Sequence, residues 1–140
     1  MASLAIALAL SLATSAVASA RVYTGTIVDD RATTVSLTVE RRDGQRTVTE
    51  FSARNFMIDC DEGVQARLDA EITGSTNIRD GRFAVKAGNG AQVVALTGSL
   101  VGSTQATGTV RYSGLTKVIV GETRERLDCD SGRLQWKASR

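Results

Sequence analysis

Apolar and polar residues alternate with a period of two along most of the chain after residue 20. In the clearest run, apolar residues occupy every second position: Val64, Ala66, Leu68, Ala70 and Ile72. Successive side chains of a strand point to opposite faces of a sheet, so this spacing places all five on one face. A helix over the same residues would bring Arg67 and Glu71 into the buried face. The pattern therefore predicts half-buried antiparallel strands.

Turn-forming residues separate the alternating runs. The chain has 13 Gly and no Pro, so its tight turns depend on Gly, Asn and Asp. We expect a hairpin at Asp43-Gly44 between strands near 33–41 and 45–53, a longer polar connection over 74–81, and turns at 88–90 and 100–103. Val48 and Phe51 cannot share a face without a bulge. These signals predict one all-β domain over residues 21–140, an antiparallel β-sandwich or jelly roll of about eight to ten strands, with a closed β-barrel as the alternative.

The aromatic residues differ in their expected burial. Phe83, Tyr112 and Trp136 alternate in step with core residues, which predicts that they are buried. Tyr23, near the start of the predicted domain, is expected to be the most accessible ring. Gly98 and Gly108 interrupt two strands, and they indicate either bulges or close packing of the sheet.

The first 20 residues contain no charged side chain, whereas charged residues are frequent from Arg21 onward. The apolar stretch ends in Ala18-Ser19-Ala20, which matches the A-x-A site that signal peptidases cleave. The sequence thus predicts a signal peptide over residues 1–20 and a secreted, extracellular chain that begins at Arg21. The rival interpretation is a membrane anchor, but a spanning helix needs about 20 strongly apolar residues, and this stretch is rich in Ala, Ser and Thr.

The only two cysteines, Cys60 and Cys129, follow the predicted cleavage site. An exported chain meets an oxidising compartment, so the pair predicts a disulfide. Closing a loop of that length is expected to stabilise the fold by about 4 kcal/mol in the chain-entropy model. A redox function is not indicated, because the spacing is not C-x-x-C. The alternative is two separate buried thiols.

Charge and composition exclude several function classes. Seventeen basic residues nearly balance 15 acidic ones, so no broad field attracts nucleic acid or an anionic membrane. The chain contains no His, which excludes Ser-His-Asp and Cys-His catalysis and histidine-ligated metal sites. We therefore expect a monomer that needs no cofactor, binds no nucleic acid and, after signal cleavage, makes no membrane contact. Its extracellular partner or ligand is unknown.

Five carboxylates lie within two residues of the cysteines: Asp59, Asp61, Glu62, Asp128 and Asp130. A disulfide would bring their segments together, and crowded carboxylate oxygens suit calcium. The alternative is that they face solvent and are balanced by arginines nearby in the sequence, at positions 124, 126 and 133. No calcium-loop spacing is present, so we expect no metal site and keep these residues as candidates.

Other charged residues permit one further enzyme class. A glycosidase needs only two facing carboxylates, and Glu40, Glu50 and Glu71 lie on predicted strands. Each also fits the polar face of an amphipathic strand, and nothing in the sequence pairs them. Arg41-Arg42 and Arg46 flank the Asp43-Gly44 turn, which indicates a solvated hairpin tip.

The ending Cys129-x-Ser131-Gly132-x-x-x-Trp136-x-Ala138 resembles that of small, uncharacterised secreted all-β proteins of high-GC actinobacteria. The resemblance implies export and an all-β fold, and it transfers no catalytic residue. Together the observations predict a secreted, disulfide-stabilised, non-catalytic binding or structural module. The alternatives are a small extracellular hydrolase that uses paired carboxylates and a calcium-binding module at the acidic residues beside the disulfide.

Overall fold

The computed structural model describes residues 19–140 as nine antiparallel β-strands and one short 3₁₀ turn over Asp61–Gly63. The strands are β1 (Ser19–Ile27), β2 (Asp30–Arg42), β3 (Gln45–Cys60), β4 (Gln65–Asn77), β5 (Arg82–Gly88), β6 (Gln92–Val101), β7 (Gln105–Val120), β8 (Thr123–Asp130) and β9 (Leu134–Ser139). The prediction of an all-β antiparallel fold is confirmed, and along most strands the buried residues recur at every second position, as the period-two pattern predicts.

The strand order is β4-β3-β2-β1-β9-β7-β6-β5, and β8 pairs with β7 along its length and with β3 at two residue pairs. This arrangement is consistent with a β-sandwich and is not a regularly closed barrel. Because neighbouring strands are antiparallel, the turns alternate between two ends of the domain. Turns at 28–29, 61–64, 89–91 and 131–133 lie at what we call the disulfide end. Turns at 43–44, 78–81 and 102–104 lie at the opposite, distal end.

Cys60 and Cys129 form the predicted disulfide, and no described cysteine is free. The two residues stand directly opposite each other in β3 and β8, with their Cα atoms 4.0 Å apart. The Cys60 amide donates to the Val64 carbonyl instead of across the pair. Strands approach most closely at such non-hydrogen-bonded pairs. The bond therefore fastens β8 onto β3, where only two residue pairs join these strands.

Aromatic rings occupy the centre of the core. Trp136 is 1% exposed, and its ring centroid lies 5.6 Å from that of Phe51 and 6.5 Å from that of Phe83. The predicted burial of Phe83, Tyr112 and Trp136 is confirmed. The prediction for Tyr23 is wrong, because this ring is only 2% exposed. Although it is close to the N-terminus, β1 lies inside the sheet between β2 and β9, so Tyr23 faces the core.

Glycines mark both tight turns and close packing. Asp43 and Gly44 form the predicted hairpin turn, with φ of 52° and 78°. Gly98 pairs directly with Gly108 across β6 and β7, and a Cβ at Gly98 would lie 2.2 Å from the Phe83 ring. Of the two interpretations offered for this glycine pair, close packing is the correct one.

The predicted connection over 74–81 is too long. Strand β4 continues to Asn77, and only residues 78–81 connect it to β5. The pairing of β3 with β4 shifts near Thr73, where Gly74 has a φ of 144°. A bulge and a loop have the same glycine signal in a sequence, and here the glycine serves a bulge. The predicted bulge between Val48 and Phe51 is confirmed by the pairing of β3 with β2, where Val48 and Glu50 stand opposite the consecutive residues Val39 and Thr38.

The predicted signal peptide falls mostly on residues 1–18, outside the described residues. Its last two residues, Ser19 and Ala20, pair with Arg41 and Glu40 as the start of β1. Among residues 19–140, no helix combines the length and the apolarity needed to cross a membrane.

Candidate functional site

The carboxylates nearest the disulfide are held by protein groups. Asp59 and Asp130 face each other across β3 and β8. The Gln65 side-chain amide donates to Asp59 at 2.8 Å. Asp130 accepts a two-pronged hydrogen bond from Arg111, with Nε at 3.1 Å, and another from the Gly132 amide at 2.7 Å. The hydrogen bond from Arg111 is the main cause that lowers the pKa of the Asp130 carboxyl.

The remaining candidates for calcium lie apart from that pair. Asp61 and Glu62 are exposed in the 3₁₀ turn, and Asp128 is exposed opposite Leu115. Within the described part of the chain, no three Asp, Glu, Cys or His residues form a group that could hold a metal ion. The arginine that pairs with this region is Arg111, and not one of the three expected from the sequence. Arg111 reaches Asp130 because Ser113 pairs with Asp130, which makes them diagonal neighbours on one face.

The strand-borne glutamates behave as polar-face residues. Glu40 lies 3.6 Å from Arg42, Glu71 lies 3.9 Å from Arg54, and Glu50 is exposed. Glu71 shares a shallow groove with Asp69, and Arg54 contacts both carboxylates. The structure thus places a guanidinium between the two acids of this groove.

A polar network at the disulfide end was not predicted. The Thr33 hydroxyl is buried and donates to Asp30 at 2.9 Å, and Arg67 donates to Asp30 at 3.0 Å and to the Asn55 carbonyl at 2.6 Å. Asn55 lies at the bulge of β3 with a φ of 64°, and its amide donates to Asp69. These bonds lower the pKa of Asp30, chiefly through Thr33. These five residues are joined by hydrogen bonds, so the network stabilises the bulge.

Three arginines that form no salt bridge within residues 19–140 line a pocket at the distal end: Arg21 of β1, Arg41 of β2 and Arg46 of β3. The pocket has a volume of about 410 Å³. Arg41 stands directly opposite both Ser19 and Arg46, and Arg21 stands opposite Val39. Strand pairing therefore brings the three side chains to adjacent positions on one face.

That face is the inner one. Each arginine lies two residues along its strand from a buried core residue, and these core residues are Tyr23, Val39 and Val48. Since residues two apart on a strand share a face, the arginines continue the core-facing side beyond the end of the core. From the sequence, Arg41 and Arg46 were interpreted as a solvated hairpin tip, and the structure shows both side chains exposed beside the turn. Their parity with Val39 and Val48 was the signal for the inner face.

The three guanidinium groups have no counter-charge within residues 19–140. The five salt bridges of this region involve other arginines, at positions 42, 54, 67 and 111. Glu40, which precedes Arg41, points to the other face of β2 and contacts Arg42. Like charges directly opposite each other on a sheet destabilise it, so the Arg41–Arg46 pair opposes folding when the pocket is empty.

Tyr23 contributes the second polar feature of the pocket. Its ring is 98% buried in the core, since it is 2% exposed, and it lines the pocket beside Arg21. The one fully buried side-chain polar atom without a partner in residues 19–140 is the Trp136 indole nitrogen, so the Tyr23 hydroxyl is not an unsatisfied buried group. A ligand oxygen in the pocket could accept a hydrogen bond from this hydroxyl. The walls are completed by Val39, Leu100, Ser19 and the Gly44 turn.

The chemistry of this pocket is that of an anion site. Guanidinium groups donate two parallel hydrogen bonds to phosphate, sulfate or carboxylate oxygens, and such charge-assisted bonds are the stronger ones. Among residues 19–140, the side chains that line the pocket include no carboxylate and no cysteine.

Comparison with known proteins does not assign the site. No protein-family model matches the chain, and no curated protein or solved structure matches it. The resemblance of the C-terminal motif to actinobacterial secreted proteins stays a prediction.

Proposed function

We propose that this chain is a secreted, non-catalytic binding module that takes an anionic ligand in the distal pocket. The observation that carries the proposal is the convergence of Arg21, Arg41 and Arg46 on the inner face without a carboxylate partner in residues 19–140. A ligand anion would remove the repulsion between them. Strand pairing fixes the backbone positions of the three arginines, while their exposed side chains become ordered when the anion binds.

The number of donors indicates the charge of the ligand. Three guanidinium groups and one hydroxyl suit a group with at least two negative charges and three or four oxygens, such as a phosphate or a sulfate. Val39 and Leu100 form apolar walls beside the cations. A ligand with a short apolar or sugar portion next to its anionic group therefore fits this pocket better than a bare ion.

The absence of catalysis is part of the proposal. Hydrolysis of a bound ester would need a base, a nucleophile or a metal beside the arginines, and the pocket lining offers none of the carboxylate or thiol groups that serve these roles. The hydrolase alternative relied on paired carboxylates, and those of the groove on β4 are held by Arg54.

Export and processing complete the proposal. The disulfide supports an oxidising destination, and cleavage after Ala20 would make Arg21 the N-terminal residue. Cleavage would also remove Ser19 from the pocket wall, and the new α-ammonium group would add a positive charge to the strand that carries Arg21. We propose that the secreted chain acts as a monomer, without a cofactor and without nucleic acid.

The binding test is calorimetric titration of the secreted protein, residues 21–140, with pyrophosphate, inorganic phosphate and sulfate. Arg41→Ala and Arg46→Ala should each weaken pyrophosphate binding at least about tenfold, since a hydrogen bond to a charged group contributes about 1.5–3 kcal/mol. Tyr23→Phe keeps the ring and removes the hydroxyl, so it should weaken binding about fivefold. Arg31→Ala is the control, because Arg31 is an exposed arginine outside the pocket.

Two results would contradict the proposal. One is that the wild-type protein binds none of the three anions in low salt. The other is that Arg31→Ala weakens binding as much as Arg41→Ala, which would reduce the effect to net charge.

Export is tested separately by the intact mass of the secreted protein. The expected mass corresponds to residues 21–140 with two hydrogens lost to the disulfide, and alkylation without reduction should add nothing. A secreted species that retains Met1, or that takes up two alkyl groups unreduced, would contradict export with cleavage and disulfide formation.

A further inference from the structure

The hairpin of β7 and β8 carries aliphatic side chains on both of its faces. On its inner face Thr116, Val118 and Leu127 are buried. On its outer face Ile119 is 69% exposed and Leu115 is 47% exposed. An isolated exposed aliphatic residue is ordinary, but two on the same face of one strand leave an unpaired apolar surface.

Cations lie between and beside these aliphatic residues. Lys117 is directly opposite Arg126, and Ile119 is directly opposite Arg124. No salt bridge joins the three cations to a carboxylate within residues 19–140, and the one acid at the same rungs is Asp128, opposite Leu115. Directly opposed like charges cost a sheet stability, so this arrangement is unfavourable for the isolated domain. We refer to Leu115, Lys117, Ile119, Arg124 and Arg126 as the hairpin face.

We propose that the hairpin face docks onto an anionic lipid bilayer surface. The alternation of aliphatic and cationic side chains in one plane matches an interface where headgroup charges lie directly above acyl chains. A polyanion in water would satisfy the cations but offer no apolar phase to Ile119 and Leu115. The long aliphatic stems of Lys117 and Arg126 can lie along the bilayer while their charges remain at the headgroups.

The hairpin face is a local concentration of cations in a chain whose basic and acidic residues are nearly equal in number. The chain as a whole has a formal net charge of +2, which predicts no attraction to membranes. The hairpin face concentrates three of its cations beside two apolar anchors, and contact of this kind is peripheral. The face is also separate from the distal pocket, because the hairpin extends from the disulfide end.

The test is sedimentation of residues 21–140 with vesicles of phosphatidylcholine alone or mixed with phosphatidylglycerol. Binding should be about a hundredfold stronger to the anionic vesicles, because each cation near such a surface contributes about fivefold. Ile119→Ser should weaken anionic-vesicle binding about tenfold, and Lys117→Glu more than tenfold. Val101→Ser is the matched control, since Val101 is also about half exposed but lies at the distal end.

Each outcome decides the proposal. Equal binding to both vesicle types, or no binding to either, overturns it. Binding of soluble polyglutamate that is as tight as vesicle binding and insensitive to Ile119→Ser would assign the face to an acidic polymer instead. Loss of vesicle binding in Arg46→Ala, with Lys117→Glu unaffected, would assign the attraction to the distal pocket. Circular dichroism of each variant confirms that it is folded.

Discussion

The two ends of the sandwich are built from the same antiparallel turns, yet they differ in how charged groups next to the core are paired. At the disulfide end the half-buried carboxylates of Asp30 and Asp130 each have an arginine partner, Arg67 and Arg111 respectively. At the distal end Arg21, Arg41 and Arg46 converge with no carboxylate among residues 19–140. The difference separates residues that stabilise the fold from residues that are available to a ligand.

Such a division agrees with the general behaviour of binding proteins. Local rules of stability are usually satisfied throughout a domain and are broken where function requires it. Here the rule against directly opposed like charges is broken by the Arg41–Arg46 pair, beside the buried ring of Tyr23. The disulfide and the ion pairs of the disulfide end stabilise the fold, and they offset the repulsion between the two arginines.

The largest expected effect is loss of the disulfide. Replacing both cysteines, Cys60→Ala with Cys129→Ala, should lower the free energy of unfolding by about 4 kcal/mol, because the unfolded chain regains the entropy of a loop with a separation of 69 residues. Urea unfolding measures this loss. Pyrophosphate affinity at the distal pocket should not change while the variant is folded. A loss below about 1 kcal/mol, or a parallel loss of affinity, would break the division between the two ends.

The next effect concerns the core that both ends share. Trp136→Ala should cost about 3 kcal/mol, at the lower end of the usual range, because it also removes a buried indole N–H that has no partner. Trp136→Phe removes the same N–H with a smaller cavity, so it should cost about half as much. Thermal unfolding should remain a single transition in both variants. Two separate transitions would show that the ends unfold independently.

The fold followed from the sequence because burial of one face imposes a period of two on every strand. What the sequence could not predict is which strands become neighbours. Tyr23 was expected to be accessible because it lies near the N-terminus, but pairing of β9 with β1 makes that strand internal. Gly74 was assigned to a connection because a bulge glycine and a turn glycine have the same local pattern.

The candidate sites also depend on which strands become neighbours, which the sequence does not predict. Arg41 and Arg46 flank a hairpin turn and could be placed together from the sequence, whereas Arg21 joins them only through pairing of β1 with β2. Arg111 likewise reaches Asp130 through the register of β7 and β8, from 19 residues away in sequence. Sequence distance selected the wrong arginines for the acidic residues, because cross-strand partners are set by register.

A charge reversal in the pocket tests the difference between the two ends, with a smaller expected change in the free energy of unfolding. Arg46→Glu places a carboxylate directly opposite Arg41, so it replaces a repulsive pair with an attractive one. It should raise the free energy of unfolding by about 1 kcal/mol and abolish detectable pyrophosphate binding. Arg42→Gln, which removes the partner of Glu40 on the other face, is the control and should slightly lower stability. If Arg46→Glu destabilised the domain, the inner-face arginines would be structural.

The smallest effect is the pH dependence of the disulfide end. The folded state lowers the pKa of Asp30, mainly through the hydrogen bond from Thr33 and then through Arg67 and the Ala32 amide. Since this pKa is below its unfolded value of about 3.9, the contribution is fully present above that value. It is lost as the pH falls through the folded pKa.

Asp30→Asn should therefore lower stability by about half a kcal/mol at pH 7, the scale of a solvent-screened ion pair, and by progressively less as the pH falls below the unfolded pKa. Urea unfolding over a series of pH values measures the change. Asp43→Asn is the control, because Asp43 forms no hydrogen bond or ion pair of its side chain in the described chain and tolerates asparagine at its φ of 52°. An acid-sensitive loss of equal size in Asp43→Asn would mean that acid stability is a property of net charge. It would then not distinguish the paired end from the unpaired one.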